Sequence, residues 1–348
     1  MKKGKYGIGL VGIGMGGVTH ATQFAEIEEL EFIACFGRSA EKAEAFGKKY
    51  GAKRWYSDFE AFCADEELDF VVVCTPNGLH AKYAIPLAEA GKHLIVEKPL
   101  EISREAAHSI IAACERNNVS LSTIYQMRFG EAAKKVKHAV ETGMMGEILQ
   151  IDAYDKAFRE VSYYADDPWR GTIEFEGGGT LTTQTTHLID LMQWIAGPVD
   201  SVYADCRTAF HDIEVEDLAN VMMKFKNGAT GVIVSATCFQ PALKSRIEIH
   251  GTKGSAIFNT EYDELYFWQV EGDPEKIDAP EGFKFGDITD PYLFPMERHR
   301  ANLLEVLNAH EEGRKSMVSG EEALKAEEII LAIYESSKTG ARVPVKQP

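Results

Sequence analysis

The chain has 348 residues, of which 45% are hydrophobic and 26% charged, a composition typical of a globular protein of about two domains and unlike that of a disordered or fibrous chain. Its 54 acidic and 37 basic residues give a net charge of −17, which argues against partners that are themselves polyanions, namely nucleic acids and anionic membranes. No apolar run reaches the roughly 18 residues of a membrane-spanning helix, so we expect no membrane association.

The first third of the chain alternates short apolar runs with amphipathic segments. The runs at residues 6–11, 30–36, 69–74 and 93–96 are typical of buried parallel strands. The clearest helix is predicted over residues 103–118, with Ser103 as its N-cap. This alternation predicts a doubly wound α/β sheet.

After about residue 125, strands of period two are expected to follow one another without intervening helices. Asn227 and Gly228 predict a hairpin turn, and a second tight turn is expected at residues 251–254. These patterns predict an antiparallel sheet. A terminal helix is predicted to begin with a capping box from Ser319 to Glu322 and to end at Gly340.

A glycine-rich turn follows the first predicted strand and opens a helical pattern. Its sequence fits G-x-G-x-x-G, the dinucleotide-binding motif, in which glycines permit a tight turn, close approach of a pyrophosphate and close helix–strand packing. The alternative is an ordinary glycine-rich turn. We expect the following residues to bind a dinucleotide: Gly12, Ile13, Gly14, Met15 and Gly17.

The second predicted strand ends without the acidic residue that holds the ribose hydroxyls in NAD-binding versions of this motif. Instead, Gly37 leaves room, Arg38 offers a fork for a 2′-phosphate, and Ser39 is an additional donor. NADP(H) is therefore the expected cofactor, with NAD(H) as the alternative. The alternative is that Arg38 is merely a solvated loop residue, in which case there is no reason to expect NADP(H) over NAD(H).

The six cysteines are scattered, and they form no C-x-x-C pair that would suggest a metal or redox site. Several lie in apolar runs, where a thiol behaves as a small hydrophobe. We therefore expect reduced thiols and a cytoplasmic protein. The histidines show no ligand spacing such as H-E-x-x-H, so no metal is expected.

Further motifs occur in a specific order along the chain. T-P-N-x-x-H spans residues 75–80, E-K-P spans 97–99, and Trp169-Arg170 precedes G-G-G at 177–179 and H-L-I-D at 187–190. Over residues 6 to 345 this order resembles the glucose–fructose oxidoreductase, inositol dehydrogenase and MocA-like (Gfo/Idh/MocA) family. The resemblance implies an NAD(P)-dependent dehydrogenase or reductase acting on CH–OH groups. It also implies a Rossmann domain at 1–125 and, at 126–348, an α/β domain with a large open, predominantly antiparallel sheet that binds substrate and mediates oligomerisation.

The resemblance implies roles for individual residues. Lys98 would orient the reacting hydroxyl and stabilise the developing alkoxide, and His187 would be the general acid/base. A structural histidine on a helix face is the alternative for His187. The resemblance adds these cofactor-binding residues: Thr75, Pro76, Asn77, His80, Glu97, Lys98 and Gln126. The implied substrate-binding residues are Lys98, Gln126, Trp169, Arg170, Thr183, His187 and Asp190.

Three of these positions carry open alternatives. Many family members have an aspartate where this chain has Thr183, which cannot act as a carboxylate base, so the acid/base work is expected to fall on Lys98 and His187. Asp190 either contacts substrate hydroxyls or orients His187 or its helix. Arg170 either contacts a substrate hydroxyl, carboxylate or phosphate or forms an ion pair at a sheet edge.

The expected function is hydride transfer between a nicotinamide and a secondary alcohol or ketone of a sugar, glycoside or cyclitol. One alternative within the family is a glycosidase that keeps its NAD bound and shows no net cofactor turnover. Another is a regulator that senses a dinucleotide without chemistry, against which the retention of Lys98 and His187 speaks. A homodimer or homotetramer formed through the open sheet is expected.

Overall fold

The computed structural model describes residues 4–278 and 296–347. The doubly wound parallel sheet predicted for the first third of the chain is confirmed. It has six strands in the order β3-β2-β1-β4-β5-β6, all in parallel register. The strands are β1 (Tyr6–Val11), β2 (Leu30–Phe36), β3 (Arg54–Tyr56), β4 (Phe70–Val73), β5 (His93–Val96) and β6 (Leu121–Thr123).

Several of the helices that connect these strands have a side-chain N-cap. The predicted helix at 103–118 is present, and Ser103 caps it by accepting a hydrogen bond from the Ala106 amide at 3.2 Å. The helices are α1 (Met15–Phe24), α2 (Ala40–Tyr50), α3 (Phe59–Cys63), α4 (His80–Glu89) and α5 (Arg104–Arg116).

The carboxyl ends of three adjacent strands are level with one another. Val11 at the end of β1 pairs with Val73 of β4, which pairs with Val96 of β5. The turns that follow these strands therefore lie side by side along one edge of the sheet, at the point where the strand order reverses. Ligands of doubly wound sheets bind at this position.

The second sheet is large and predominantly antiparallel, as predicted. Its eight strands have the order β13-β12-β11-β7-β10-β9-β8-β14, and only the β7–β10 pair is parallel among the pairings described. The strands are β7 (Ile148–Lys156), β8 (Val199–Arg207), β9 (Leu218–Phe225), β10 (Thr230–Ala236), β11 (Arg246–Gly251), β12 (Gly254–Asn259), β13 (Glu264–Val270) and β14 (Val343–Pro344). Both predicted turns are found, between β9 and β10 and between β11 and β12.

The expectation that no helices intervene after residue 125 is wrong. Four helices interrupt the strands of this part: α6 (Glu131–Glu141), α7 (Val161–Ala165), α8 (Thr180–Thr183) and α9 (Thr186–Ala196). The apolar side chains of α6 and α9 are buried, because these helices cover one face of the sheet and supply its core. The other face carries exposed apolar side chains on neighbouring strands, including the paired residues Tyr203 and Met222, which are 44% and 57% exposed.

Two further helices close the chain, α10 (Glu297–Glu311) and α11 (Gly320–Thr339). Contacts divide the chain into two compact units: one runs to Gln126 and includes Met296–Leu324, and the other begins at Met127 and includes the residues from Lys325 onward. Residues 296–324 thus belong to the first unit, whereas the predicted division at 125 places them in the second domain. The reason is that Leu303, Val306 and Leu307 of α10 are buried in one core with β1 and β2.

The Ser319 cap and the stop of the terminal helix are where the sequence predicts them. The Ser319 hydroxyl accepts from the Glu322 amide at 3.4 Å, and Gly340 has a φ of +66°. None of the helices within the two described ranges combines the length and apolar character that crossing a membrane requires.

Candidate functional site

The glycine-rich turn after β1 has the geometry that a dinucleotide needs. Gly12 has a φ of +104°, and a Cβ there would lie 2.5 Å from the Cys74 carbonyl oxygen. A Cβ on Gly17 would lie 2.2 Å from the Gly12 carbonyl oxygen, so this glycine permits the close packing of α1. At Gly14, the N-cap of α1, an added Cβ would meet no atom within 4 Å. The space before the first-turn amides of α1 is therefore open to an anion.

The turn after β2 carries the residues that were considered for a 2′-phosphate. Arg38 is exposed, and no described residue forms an ion pair or hydrogen bond with it. Ser39 is the N-cap of α2 and accepts from the Lys42 amide at 3.3 Å, so Arg38 lies directly before a helix N-terminus. Gly37 is buried, and a Cβ there would lie 2.6 Å from Cδ1 of Ile13; the missing side chain makes room for Ile13.

Two unpartnered polar atoms lie in the turns that follow β4 and β6. Thr75 Oγ1 and Gln126 Oε1 are buried, and neither has a hydrogen-bond partner within the described part of the chain. Asn77 is also buried and opens the short 3₁₀ helix Asn77–Leu79. Buried polar atoms without partners are costly, and a polar cofactor would satisfy them. Together with the open glycine turn, these residues fit an NAD(P) molecule.

His80, which was predicted to bind the cofactor, lies among backbone carbonyl oxygens. Its side chain is completely buried, with Nδ1 2.9 Å from the Pro99 carbonyl oxygen and Nε2 3.1 Å from the Thr75 carbonyl oxygen. Both ring nitrogens are thus engaged within the first unit. His80 instead ties the segment after β4 to the segment after β5, which positions both.

Glu97 and Lys98 follow β5, and the Lys98–Pro99 peptide bond is cis. Glu97 Oε1 accepts from His20 Nε2 at 2.7 Å, and Oε2 accepts from the Lys98 backbone amide at 3.2 Å. Burial alone would raise the pKa of Glu97, but the hydrogen bond and charge of His20 outweigh it and hold this pKa at about 2. Glu97 is therefore a carboxylate whose two oxygens are engaged within the first unit. His20, on α1, was not among the predicted site residues.

His187 is the second residue of α9 and is 8% exposed. The start of this helix is anchored from the sheet, because the Thr185 hydroxyl donates to Asp155 Oδ2 on β7 at 2.8 Å. One turn further, Asp190 forms a bidentate ion pair with Arg128, at 2.7 Å to Nε and 2.6 Å to Nη2, and both side chains are 1% exposed. This pairing agrees with the alternative that Asp190 orients its helix, and the contact of Asp190 with substrate stays a prediction.

Thr183 has a carboxylate beside it that sequence reasoning missed. The Thr183 hydroxyl donates to Glu176 Oε1 at 2.6 Å, and Glu176 Oε2 accepts from the Gly171 amide. Glu176 is 1% exposed. An acidic residue directly before the G-G-G run was the available signal. The Thr183 hydroxyl is therefore oriented by a buried carboxylate.

Arg170 lies on the loop between α7 and α8 and not at a sheet edge. Its Nε donates to Asp167 at 3.1 Å, and its guanidinium lies 4.1 Å from the Tyr163 ring centroid and 4.8 Å from that of Trp169. Its Nη1 also donates to the Tyr163 hydroxyl, which accepts from Gln184 at 3.2 Å. Trp169 and Arg170 thus belong to one aromatic and polar cluster, which Gln184 at the end of α8 joins.

The G-G-G run is required by packing against the segment that precedes β9 and against α11. A Cβ on Gly179 would lie 1.7 Å from the Glu216 carbonyl oxygen, and one on Gly178 would lie 2.1 Å from the Tyr334 hydroxyl. The Glu216 carboxylate accepts from the amides of Gly179 at 2.8 Å and Leu181 at 3.0 Å, and so caps α8. The run therefore lets the start of α8 pack closely against Glu216 and Tyr334.

Among the described residues, no group of three or more histidine, cysteine or acidic side chains is arranged to hold a metal ion. The six cysteines are not in disulfides. Burial raises the pKa of the thiols of Cys35 and Cys63 to about 11 and of Cys114 to about 12, which keeps them protonated and unreactive near neutral pH.

Comparisons with known proteins agree with this geometry. The oxidoreductase family with an NAD-binding Rossmann fold matches residues 6–125, and the GFO/IDH/MocA C-terminal domain matches residues 133–257. The chain is 30% identical to the myo-inositol 2-dehydrogenase of Thermotoga maritima over 92% of each chain. It is 29% identical to the levoglucosan dehydrogenase of Pseudarthrobacter phenanthrenivorans over 74% of this chain and 75% of that one.

Among solved structures, the WlbA dehydrogenase of Bordetella pertussis in complex with NADH and UDP-GlcNAcA superposes with a TM-score of 0.87. It is 28% identical and covers 99% of this chain and 100% of its own. The two family matches include well over half of the residues. The chain therefore belongs to the Gfo/Idh/MocA family and is an NAD(P)-dependent dehydrogenase that acts on CH–OH groups.

Proposed function

We propose that this protein transfers hydride between a nicotinamide cofactor and a secondary alcohol of a sugar, glycoside or cyclitol, with Lys98 and His187 as its catalytic residues. The observation that carries the proposal is the level ending of β1, β4 and β5. It brings the glycine turn, the Thr75 turn and Lys98 to one edge of the sheet. A cofactor seated on the α1 N-terminus would extend along this edge toward Lys98.

Lys98 supplies the positive charge in the first unit. When bound, the nicotinamide supplies the carbon that accepts or donates hydride. The Lys98 ammonium then orients the reacting hydroxyl and stabilises the alkoxide character that develops as its proton leaves. The bonds of Glu97 and His80 support this role, because they hold the backbone on both sides of Lys98.

His187 is the proposed general base in the oxidation and the general acid in the reverse reaction. An imidazole exchanges protons readily near neutral pH, and α9 fixes its place through Thr185 and Asp190. Thr183 has no carboxylate of its own, but Glu176 orients its hydroxyl, and Thr183 is the proposed contact for a substrate hydroxyl at this position. Trp169, Arg170 and Gln126 complete the proposed substrate contacts.

We also propose a preference for NADP(H) over NAD(H). Arg38 is exposed, lacks an ion-pair partner among the described residues, and precedes the N-terminus of α2, so a 2′-phosphate there would meet both a guanidinium and helix amides. No acidic residue stands at positions 37–39 to hold a ribose diol. NAD(H) is the alternative cofactor.

The substrate class follows from the relatives, which act on myo-inositol and levoglucosan, both polyhydroxylated rings. The exposed apolar pair Tyr203–Met222 on the open face of the second sheet supports a homodimer or homotetramer. We propose that the protein works in the cytoplasm, with no nucleic acid, membrane or metal ion in its function.

A substrate panel tests the proposal. The protein is incubated separately with NAD and NADP and with myo-inositol, levoglucosan, D-glucose, D-xylose and UDP-GlcNAcA, and reduced cofactor is followed by absorbance. Net reduction with at least one compound is expected, faster with NADP at equal subsaturating concentrations. Cleavage of a glycoside without net reduction would replace the proposal with a cofactor-retaining glycosidase. Cofactor binding without any conversion would favour a dinucleotide-sensing regulator.

A further inference from the structure

We propose that His20 is a positioning residue for Lys98, which it holds through the carboxylate of Glu97. This inference rests on the proposed catalytic role of Lys98. It concerns residues of the first unit only, and it assigns a function to the buried pair of His20 and Glu97.

The geometry is a short relay of two hydrogen bonds. A carboxylate only accepts, so the 2.7 Å contact between His20 and Glu97 Oε1 fixes the proton on Nε2 of His20. The other oxygen of Glu97 accepts the Lys98 backbone amide at 3.2 Å. The rotation of the Glu97 side chain, and with it the placement of the Lys98 backbone, therefore depends on His20.

The pair is buried deeply enough for this bond to matter. The His20 side chain is 0% exposed and that of Glu97 is 18% exposed. A buried carboxylate that loses its donor either takes up a proton or turns toward solvent. In both cases the Lys98 amide loses a charged acceptor. The backbone of Lys98 is then held less firmly, and its side chain is positioned less precisely.

The neighbouring rings offer no charged group that could replace the hydrogen bond from His20 to Glu97. His299 on α10 lies edge-on to it, with ring centroids 6.1 Å apart. Burial, and then the neighbouring His20, lower the pKa of His299 to about 3, so His299 is neutral at working pH. Phe24, at 6.3 Å between ring centroids, closes another side with an apolar ring. His20 is therefore the group on which the orientation of Glu97 depends.

Three variants separate this role from a structural one. His20→Leu removes the donor, whereas His20→Gln retains an amide donor that can reach Glu97. Thr19→Val is the matched control: it removes another buried side-chain hydrogen bond of α1, from Thr19 to the Met15 carbonyl at 3.3 Å, without touching Glu97. Each variant is made in the unmodified protein, and His20→Leu is also made in Lys98→Met.

The first readout is independent of substrate. Proteins labelled with ¹⁵N-lysine are exchanged into deuterated water, and the Lys98 amide is identified as the signal missing from Lys98→Met. In His20→Leu this amide should exchange about 10-fold faster or more, while His20→Gln and Thr19→Val remain within about 3-fold of the unmodified protein. Unchanged exchange in His20→Leu would overturn the inference.

The second readout is turnover of the panel compound that is converted fastest. His20→Leu should lower kcat by about 10- to 100-fold, with KM and cofactor affinity within a few fold, and His20→Gln should restore most of the rate. In Lys98→Met, the His20→Leu change should cost less than about 2-fold, since its effect passes through Lys98.

Equal losses in both backgrounds would show a general structural role for His20 and overturn the inference. Undiminished turnover by Lys98→Met would instead refute the catalytic role of Lys98 in the proposed function, and the exchange readout would then show whether the tie to His20 exists without it. The two failures are thus distinguishable.

Discussion

Replacement of Asp190 distinguishes most clearly between the role expected for it from the sequence and the role the structure gives it. The Asp190 carboxylate is paired with both Nε and Nη2 of Arg128, and the two side chains are each 1% exposed. Asp190→Ala leaves a guanidinium buried without its counter-charge. Such a loss costs about 3 to 5 kcal/mol of the free energy of unfolding. For a unit of this size, that corresponds to a fall of about 6 to 20 °C in melting temperature.

The double variant Arg128→Met with Asp190→Leu removes both charges and fills the space with apolar groups. It should recover most of the lost stability, since a buried ion pair is worth little more than a well-packed apolar pair. Melting is followed by circular dichroism for the single variant, the double variant and the unmodified protein. If Asp190→Ala kept the unmodified melting temperature and raised only KM, Asp190 would be a substrate contact and the structural assignment would be refuted.

Three further predictions can be checked separately. Arg38→Ala should weaken NADP(H) by about 1 to 3 kcal/mol and leave NAD(H) nearly unchanged, as measured by calorimetry; equal affinities of the unmodified protein for the two cofactors would contradict this. Gly14→Ala should keep the melting temperature while lowering the affinity for the cofactor. Gly17→Ala should lower the melting temperature, because its Cβ would lie 2.2 Å from the Gly12 carbonyl oxygen. Identical behaviour of the two variants would show that the cofactor does not use the space at Gly14. Burial, followed by the charge of Asp155, raises the pKa of Glu261 to about 7, above its usual 4.5, so the folded protein holds a proton that the unfolded chain releases. Stability from this group should therefore be present below pH 4.5 and be lost as pH rises toward 7, and Glu261→Gln should flatten the dependence of melting temperature on pH across that interval.

Local patterns predicted much of the fold. Strands β1, β2 and β5 have the predicted bounds. The predicted roles of Gly12 and Gly17 agree with the structure, because a Cβ at either position would clash with a backbone carbonyl oxygen. Helix α6 could also have been predicted from the sequence, because its buried residues Ala132, Val136 and Ala139 follow helical spacing.

What the sequence could not predict are pairings between distant residues. Arg128 and Asp190 are 62 positions apart, and His20 and Glu97 are 77 apart, so no local period relates one member to the other. Asp190 and His80 were predicted to contact ligands because they stand in motifs of the family. Their actual partners depend on which elements pack together, and only the assembled unit defines that.

The central claim, hydride transfer assisted by Lys98 and His187, is tested most directly by following the hydride itself. The panel compound that is converted fastest is deuterated at its reacting carbon, and the cofactor recovered after turnover is analysed by mass spectrometry. One deuterium per reduced nicotinamide is expected with the unmodified protein. Its rate of appearance should fall by roughly 100-fold or more in Lys98→Met and in His187→Ala, with cofactor affinity within a few fold and with losses that do not add in the double variant. Reduced cofactor without deuterium, or labelling at the full rate in both variants, would contradict the account.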